Sequence, residues 1–346
     1  MLFRDLEFLI SKLSFCASFT LNFFVIYLTL FYIERVFETY RIMIVAFASL
    51  GIIYSGLEVF IKPYLHVYNN CILYFSLSTW ISAKPLLPWL FAIWSGMYLV
   101  VIAFISIQFI YRFMNFFNPR KMRMFKGVRV IFWLAYPLVP GAIQVGALFI
   151  FCSPDEYSTV TLREIVLETY DLMISDVVRF PIIPYDADGA WRFNNACFLL
   201  TCVLLIFGHY SIIIFCGLKM HLNMTQQLKK FSKTNGELQR QFFKALVFQC
   251  IGPTLFLILP IAPILLANIA YRFWKLEVNW KAGWIFSIIG LYPPFDSISF
   301  IIIVSEYRNV IRDRYWDTFF GSSKRNKTRG NYTNSPIRLE IDSVMN

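Results

Sequence analysis

Charge is what this chain has least of. Asp, Glu, Lys and Arg make up 15% of its 346 residues, against roughly 25% in an ordinary soluble domain. A soluble fold of this length needs more polar surface than that. Histidine is scarcer still: His66, His209 and His221 are all there are, with no HExxH or comparable grouping. Metal-dependent hydrolysis therefore has no ligand set. The seven cysteines include no CxxC pair, which argues against structural zinc. No Gly-rich phosphate loop and no internal repeat is found, so nucleotide chemistry and a repeat-built transporter lack their signatures. No enzyme activity, metal or cofactor is expected.

What fills the space is apolar: 58% of the residues are hydrophobic and 19% aromatic. From Leu86 to Ile110 there is no charged residue. About 20 apolar residues suffice to cross a bilayer as a helix. The run then breaks into Tyr111, Arg112 and the basic series Arg120, Lys121, Arg123, Lys126 and Arg129. Similar blocks lie at about 13–33, 42–61, 128–151, 196–218, 242–270 and 283–304. The expected fold class is an all-α membrane protein, a seven-transmembrane-helix bundle over residues 1–320. The first block is longer than a signal-peptide core, and its flank MLFRDLEFLISK balances acids and bases, so it reads as a retained anchor.

Seven spans put the termini on opposite sides. With the N-terminus outside and the C-terminus inside, 22 of the 32 Lys and Arg fall on the inner side, as the positive-inside rule requires. One observation runs against this orientation: the three glycosylation sequons, at Asn223, Asn326 and Asn331, all lie on the inner side and the outer segments have none, so a glycosylated Asn326 or Asn331 would overturn it. The formal charge of +11 does not indicate nucleic acid, because the basic residues sit in short loops between apolar blocks, facing anionic lipid. The segment Cys152–Asn195 is the one sizeable external element; Leu162, Ile165, Val166 and Leu172 suggest an amphipathic helix over the bundle mouth, with a solvated acidic loop as the competing reading. A short interfacial helix is expected over about 307–320, and 321–346 has the composition of a disordered cytoplasmic tail.

Few residues offer chemistry. Asp296 lies inside the seventh span, where a carboxylate costs about 2.5–3.5 kcal/mol on insertion scales and is by default a functional candidate. Pro293 and Pro294 precede it and remove backbone donors. The group reads as a polar hinge, with Asp296 bonded to polar residues of the first two spans such as Asn22; a purely structural anchor is the alternative. Glu58, near the outer end of the second span, either lines a ligand cavity or reaches the headgroups. Trp94 and Tyr98, one turn apart on the third span, are candidates for an apolar cavity lining. Cys71 and Cys152 fall at external loop ends, and a disulfide or two free thiols are both open.

The segment from Leu238 to Tyr307 (LQRQFFKALVFQCIGPTLFLILPIAPILL and then GLYPPFDSISFIIIVSEY), with Asn22, GIIYSGLEVFIKP at 51–63 and FIYRF at 109–113, closely resembles the nematode serpentine chemoreceptors of the Str and class J group. The similarity runs from about Leu13 to Arg308. Glu58 stands where that group more often has Asp, and Phe91, Ile93, Trp94 and Gly96 replace its frequent Cys and Gly residues. The resemblance implies a G-protein-coupled receptor in the plasma membrane of sensory neurons, on their cilia, detecting small and often volatile molecules. Its partners would be that small molecule, a heterotrimeric G protein and the bilayer, with no nucleic acid. It makes Tyr111 and Arg112 a cytoplasmic switch, with Lys244 beside the G protein; an interfacial Tyr and a snorkelling Arg is the bland alternative. A seven-span ligand-gated cation channel of the insect chemoreceptor kind is the competing function, and the basic-residue count opposes its topology.

Overall fold

The computed structural model describes residues 2–33, 38–78, 85–229 and 233–313. The elements follow the apolar blocks: α1 (Leu2–Phe31), α2 (Glu38–Ile61), α3 (Leu86–Phe117), α4 (Arg129–Ala135), α5 (Leu138–Phe151), α6 (Glu156–Tyr170), α7 (Phe193–Leu228), α8 (Lys233–Pro253), α9 (Leu259–Trp274), α10 (Trp284–Gly290), α11 (Tyr292–Ile303) and α12 (Ser305–Ile311). Among the described residues, seven helical stretches are long and apolar enough to cross a membrane. Four short strands join them: β1 (Pro63–Tyr68), β2 (Cys71–Ser76), β3 (Arg179–Ile182) and β4 (Asn279–Lys281). The protein is thus a seven-helix bundle carrying a small sheet, which the all-helical expectation did not contain.

Proline sets the breaks. The fourth span divides into α4 and α5 at Tyr136-Pro137, because proline has no N–H to continue the ladder and its ring crowds the preceding turn. In the sixth span α8 ends at Pro253, a π-turn covers Thr254–Ile258, and α9 opens on Pro260. In the seventh, α10 stops at Gly290 and α11 starts with Pro293 and Pro294 in its first turn, where a missing N–H is harmless. The described part of the expected interfacial helix is α12; residues 314–320 and the tail from 321 lie outside the described residues, as do the sequons at Asn326 and Asn331.

The third span is the axis. Its apolar window is 78% buried, more than that of any other span, and it packs against α2, α5, α7 and α8. Its approach to α5 depends on two glycines: a Cβ added at Gly96 would lie 2.7 Å from the Gly141 carbonyl oxygen, and one at Gly141 would lie 2.5 Å from a Val100 methyl. The helix runs on to Phe117, so Tyr111 and Arg112 lie within it rather than at its end.

The sheet, in the order β3-β2-β1-β4 and antiparallel throughout, caps one end of the bundle. Side chains alternate across a pleated sheet, and both faces here are covered. Leu65, Val67, Ile72, Tyr74, Phe180 and Ile182 face the helices. Tyr64, Cys71, Leu73 and Phe75 face Leu162, Val166 and Tyr170 of α6. The amphipathic helix expected over the mouth therefore lies on the sheet. Its start is fixed by a capping box, with Asp155 accepting from the Ser158 amide at 2.8 Å and Ser158 Oγ accepting from the Asp155 amide at 3.0 Å. Cys71 packs on the α6 side of the sheet, and Cys152, which caps the end of α5, packs with the bundle side; both are buried and stand as free thiols, the second of the two alternatives.

Two expected outcomes follow from this packing. Gly96→Val drives a branched side chain into the α5 backbone and should lower the thermal midpoint of the detergent-purified protein, overpacking of this kind costing roughly 1–3 kcal/mol; an unchanged midpoint would count against the close α3–α5 contact. The second concerns His66, fully buried between sheet and α6, with Nδ1 2.8 Å from the Tyr170 hydroxyl and Nε2 without a partner. Burial first, and then the Lys281 ammonium, push its pKa down to about 4. A depressed histidine binds its proton more readily unfolded, so its contribution is complete above about pH 6.5 and is lost as pH falls toward 4. Melting curves across that window should show the loss, and His66→Gln should flatten it.

Candidate functional site

Polar groups are rare in this bundle, and they gather at three depths. At the end of the bundle away from the sheet, Arg112 is 2% exposed. No carboxylate contacts it among the described residues; its guanidinium carbon lies 4.1 Å from the centre of the Tyr40 ring and 4.9 Å from that of Phe242, and Nη1 donates to Gln239 Oε1 at 3.3 Å. A cation over desolvated aromatic faces gains about 2 kcal/mol or more. Nε has no partner. Tyr40 is in turn stacked on Tyr111 at 6.0 Å, and Tyr111 meets Phe125 edge-on at 5.2 Å. The cage thus joins α2, α3 and α8. Tyr111 shapes it by holding Tyr40. Lys244 does not join it: it lies on the exposed side of α8.

At mid-depth the structure separates two residues that the sequence reading had paired. Asn22 donates to the Ser18 carbonyl at 2.8 Å and accepts from Ser297 Oγ at 2.8 Å, tying α1 to α11. Gly51 lets Asn22 lie against α2, since an added Cβ would be 3.2 Å from its amide. Asp296, one residue from Ser297, turns instead to the sixth span and accepts from Gln249 Nε2 at 3.3 Å. Asp296 Oδ1 and Gln249 Oε1 are both left without partners. Pro293 sits one turn earlier on the same cavity. That cavity, bounded by Asn22, Tyr54, Tyr98, Phe256, Tyr292 and Asp296, gives the centre of a water-sized group about 20 Å³ and holds about 470 Å³ of unfilled space with its mouth.

Above it the bundle is plugged. Trp94 is 2% exposed, stacked on Tyr54 at 5.7 Å and edge-on to Phe286 at 5.2 Å. Tyr74 of the sheet lies 4.3 Å from Phe91 and 5.6 Å from Phe286. Trp94 and Tyr98, expected to share one lining, therefore part company. Tyr98 faces the cavity, while Trp94 belongs to the aromatic plug between cavity and sheet. Glu58 lines neither; it lies in a flanking cavity between α1, α2 and α10. Tyr40, Gln239 and Gln249 were missed by sequence reading. Tyr40 stands at a helix start among charged neighbours, and the two glutamines carry no charge to mark them.

The architecture is that of a multi-pass membrane protein of the rhodopsin type: the crystal structure of squid rhodopsin superimposes with a TM-score of 0.56 over 94% of this chain and 89% of that one, at 11% identity. The family follows from sequence. The model of the serpentine type 7TM GPCR chemoreceptor Str matches residues 7–312, and the chain belongs to that family. It is 32% identical to the G-protein coupled receptor str-33 of Caenorhabditis elegans, across 99% of this chain and 97% of the relative. It is 22% identical to the serpentine receptor class r-10 of the same organism, across 79% and 80%.

The paired orphan acceptors give a direct expectation. Asp296→Asn supplies an amide that can donate to Gln249 Oε1 while still accepting from Gln249 Nε2. Leaving a buried acceptor unsatisfied costs about 1–3 kcal/mol, so the variant should melt at higher temperature than wild type. A lower midpoint would show that the carboxylate is satisfied in some other way.

Proposed function

We propose that the protein is a chemosensory receptor whose ligand binds in the bundle on the sheet side and whose opposite, cytoplasmic end activates a heterotrimeric G protein. The observation that carries this reading is the caged Arg112. A buried guanidinium held by neutral groups on two other helices is a latch: Gln239 and Phe242 belong to α8, so outward movement of α8 releases the cation without breaking an ion pair. The π-turn and prolines of the sixth span supply the bend about which α8 can pivot. Membership of the chemoreceptor family supports the receptor role, and the excess of Lys and Arg on the latch side supports an N-out, C-in orientation. In this reading Tyr98 lines the ligand cavity, Asn22, Pro293, Pro294 and Asp296 form the hinge beneath it, and the exposed Lys244 faces the partner protein or lipid phosphates. The ligand is small and apolar, as the cavity lining requires. The site of action is the plasma membrane of a sensory neuron, on its cilium.

The test is a second-messenger assay in cells with matched surface expression. A hydrogen bond to a charged group contributes about 1.5–3 kcal/mol, so Gln239→Ala should raise basal signalling by roughly tenfold or more where the active state is a minor one. Arg112→Ala should abolish signalling. Currents that persist without any G protein would replace this reading with the channel.

A further inference from the structure

Two polar groups that line the central cavity are unsatisfied in opposite senses. Asp296, 6% exposed, accepts from Gln249 Nε2 through Oδ2, and its Oδ1 has no donor. The Tyr98 hydroxyl on the same cavity has no partner either. No hydrogen bond joins the two across the space they share. The polar groups around them are engaged elsewhere. The Asn22 amide donates to the Ser18 carbonyl at 2.8 Å and to Ser18 Oγ at 3.2 Å, and Ser297 Oγ donates to Asn22. The Tyr292 hydroxyl donates to the Gln249 carbonyl at 3.5 Å, and the Tyr54 ring is stacked on Trp94. Among the described residues no Lys, Arg or His lines this cavity, and Phe47, Val101, Phe256 and Ile289 give it apolar walls. The centre of a water-sized group has about 20 Å³ here, above the ~10–15 Å³ that one such group needs.

We propose that the ligand is a small alcohol, apolar apart from one hydroxyl that bridges Tyr98 and Asp296, with its alkyl part against Phe256 and Ile289. This rests on the ligand cavity proposed above and not on coupling to a G protein. Tyr98 has a proton to give, and a carboxylate oxygen has none. The bridging group must therefore accept on one side and donate on the other. A hydroxyl does both. A ketone or aldehyde oxygen only accepts, which leaves Asp296 Oδ1 unsatisfied. A primary ammonium only donates, which leaves the Tyr98 proton unsatisfied. A buried polar group stranded in this way weakens binding roughly tenfold or more. The two residues thus exclude different competitors. Tyr98 discriminates against amines and Asp296 against carbonyl compounds. Asp296→Asn would exchange the second preference, because its amide has a second N–H besides the one that meets Gln249.

The test is a saturation-transfer NMR titration of the full chain in phosphatidylcholine nanodiscs, with empty discs subtracted and no G protein present. The probes share one carbon skeleton: 2-butanol, butanone and sec-butylamine. On wild type, 2-butanol should bind roughly tenfold tighter than either of the others, and this comparison decides alone if a variant does not fold. Tyr98→Phe should cancel the advantage over the amine, and Asp296→Asn the advantage over the ketone. Butanone or sec-butylamine binding as tightly as 2-butanol, and abolished by filling the cavity with Phe256→Trp, overturns the alcohol and leaves the ligand cavity standing. A 2-butanol advantage that neither polar variant moves also overturns the proposal. No binding by any probe, or binding that Phe256→Trp leaves unchanged, overturns the cavity as well.

Discussion

One cation organises the half of the bundle that lies away from the sheet. Arg112 is buried on the central helix with no carboxylate in contact among the described residues, and a guanidinium cannot shed its charge to ease that burial. What remains is to surround it with polarisable faces and a neutral acceptor, and Tyr40, Phe242 and Gln239 do so. Each comes from an element that must be correctly placed for the cage to close. The extension of α3 beyond the apolar run to Phe117, the stack of Tyr40 on Tyr111 and the docking of Phe125 on Tyr111 all serve that closure. An ion pair would be stronger and harder to open. A cage of rings and one long hydrogen bond suits an arrangement with two states.

The rest of the bundle keeps polar contacts few and directional. Asn22 and Ser297 tie α1 to α11, Gln249 and Asp296 tie the sixth span to the seventh, and Thr29 meets the Tyr307 hydroxyl at 2.7 Å beneath them. In hydrocarbon such bonds have few competitors, yet each is worth only about 1 kcal/mol. The tight helix contacts are made by small residues instead: Gly96 and Gly141 between α3 and α5, and Gly252 under the Tyr292 ring. Close backbone approach thus sets the tight helix contacts, while the polar pairs tie particular helices to one another. The breaks at Pro137, Pro253 and Leu291 divide three spans into halves.

Much of this was legible in the sequence, for a physical reason. A bilayer imposes a length and an apolarity on every crossing segment, so seven blocks announce themselves. Asp296 stood out because charge inside a span is costly, and Arg112 because it closes the third apolar run in a stretch that resembles the chemoreceptor family. The sheet did not, since strands of three to six residues such as Asn279–Lys281 and Cys71–Ser76 lack the length that gives periodicity a signal. Partner identity was also hidden. Asp296 was expected to meet Asn22, and the rotation of α11 gives it Gln249 of the sixth span instead. Trp94 and Tyr98 are one turn apart on one face, yet the sheet descends between the helices and claims the first for a plug. Cys71 and Cys152 both looked like loop ends, yet the first packs beneath α6 and the second with the bundle side.

The central claim is that the Arg112 cage holds α8 against α3. Spin labels at the exposed positions Lys121, beyond α3, and Lys244, on α8, would read that separation by pulsed dipolar spectroscopy in the full chain. Wild type should give one short distance. Gln239→Ala should add a population several ångströms longer, because the hydrogen bond restraining α8 is gone. Identical distance distributions in the two proteins would contradict the account.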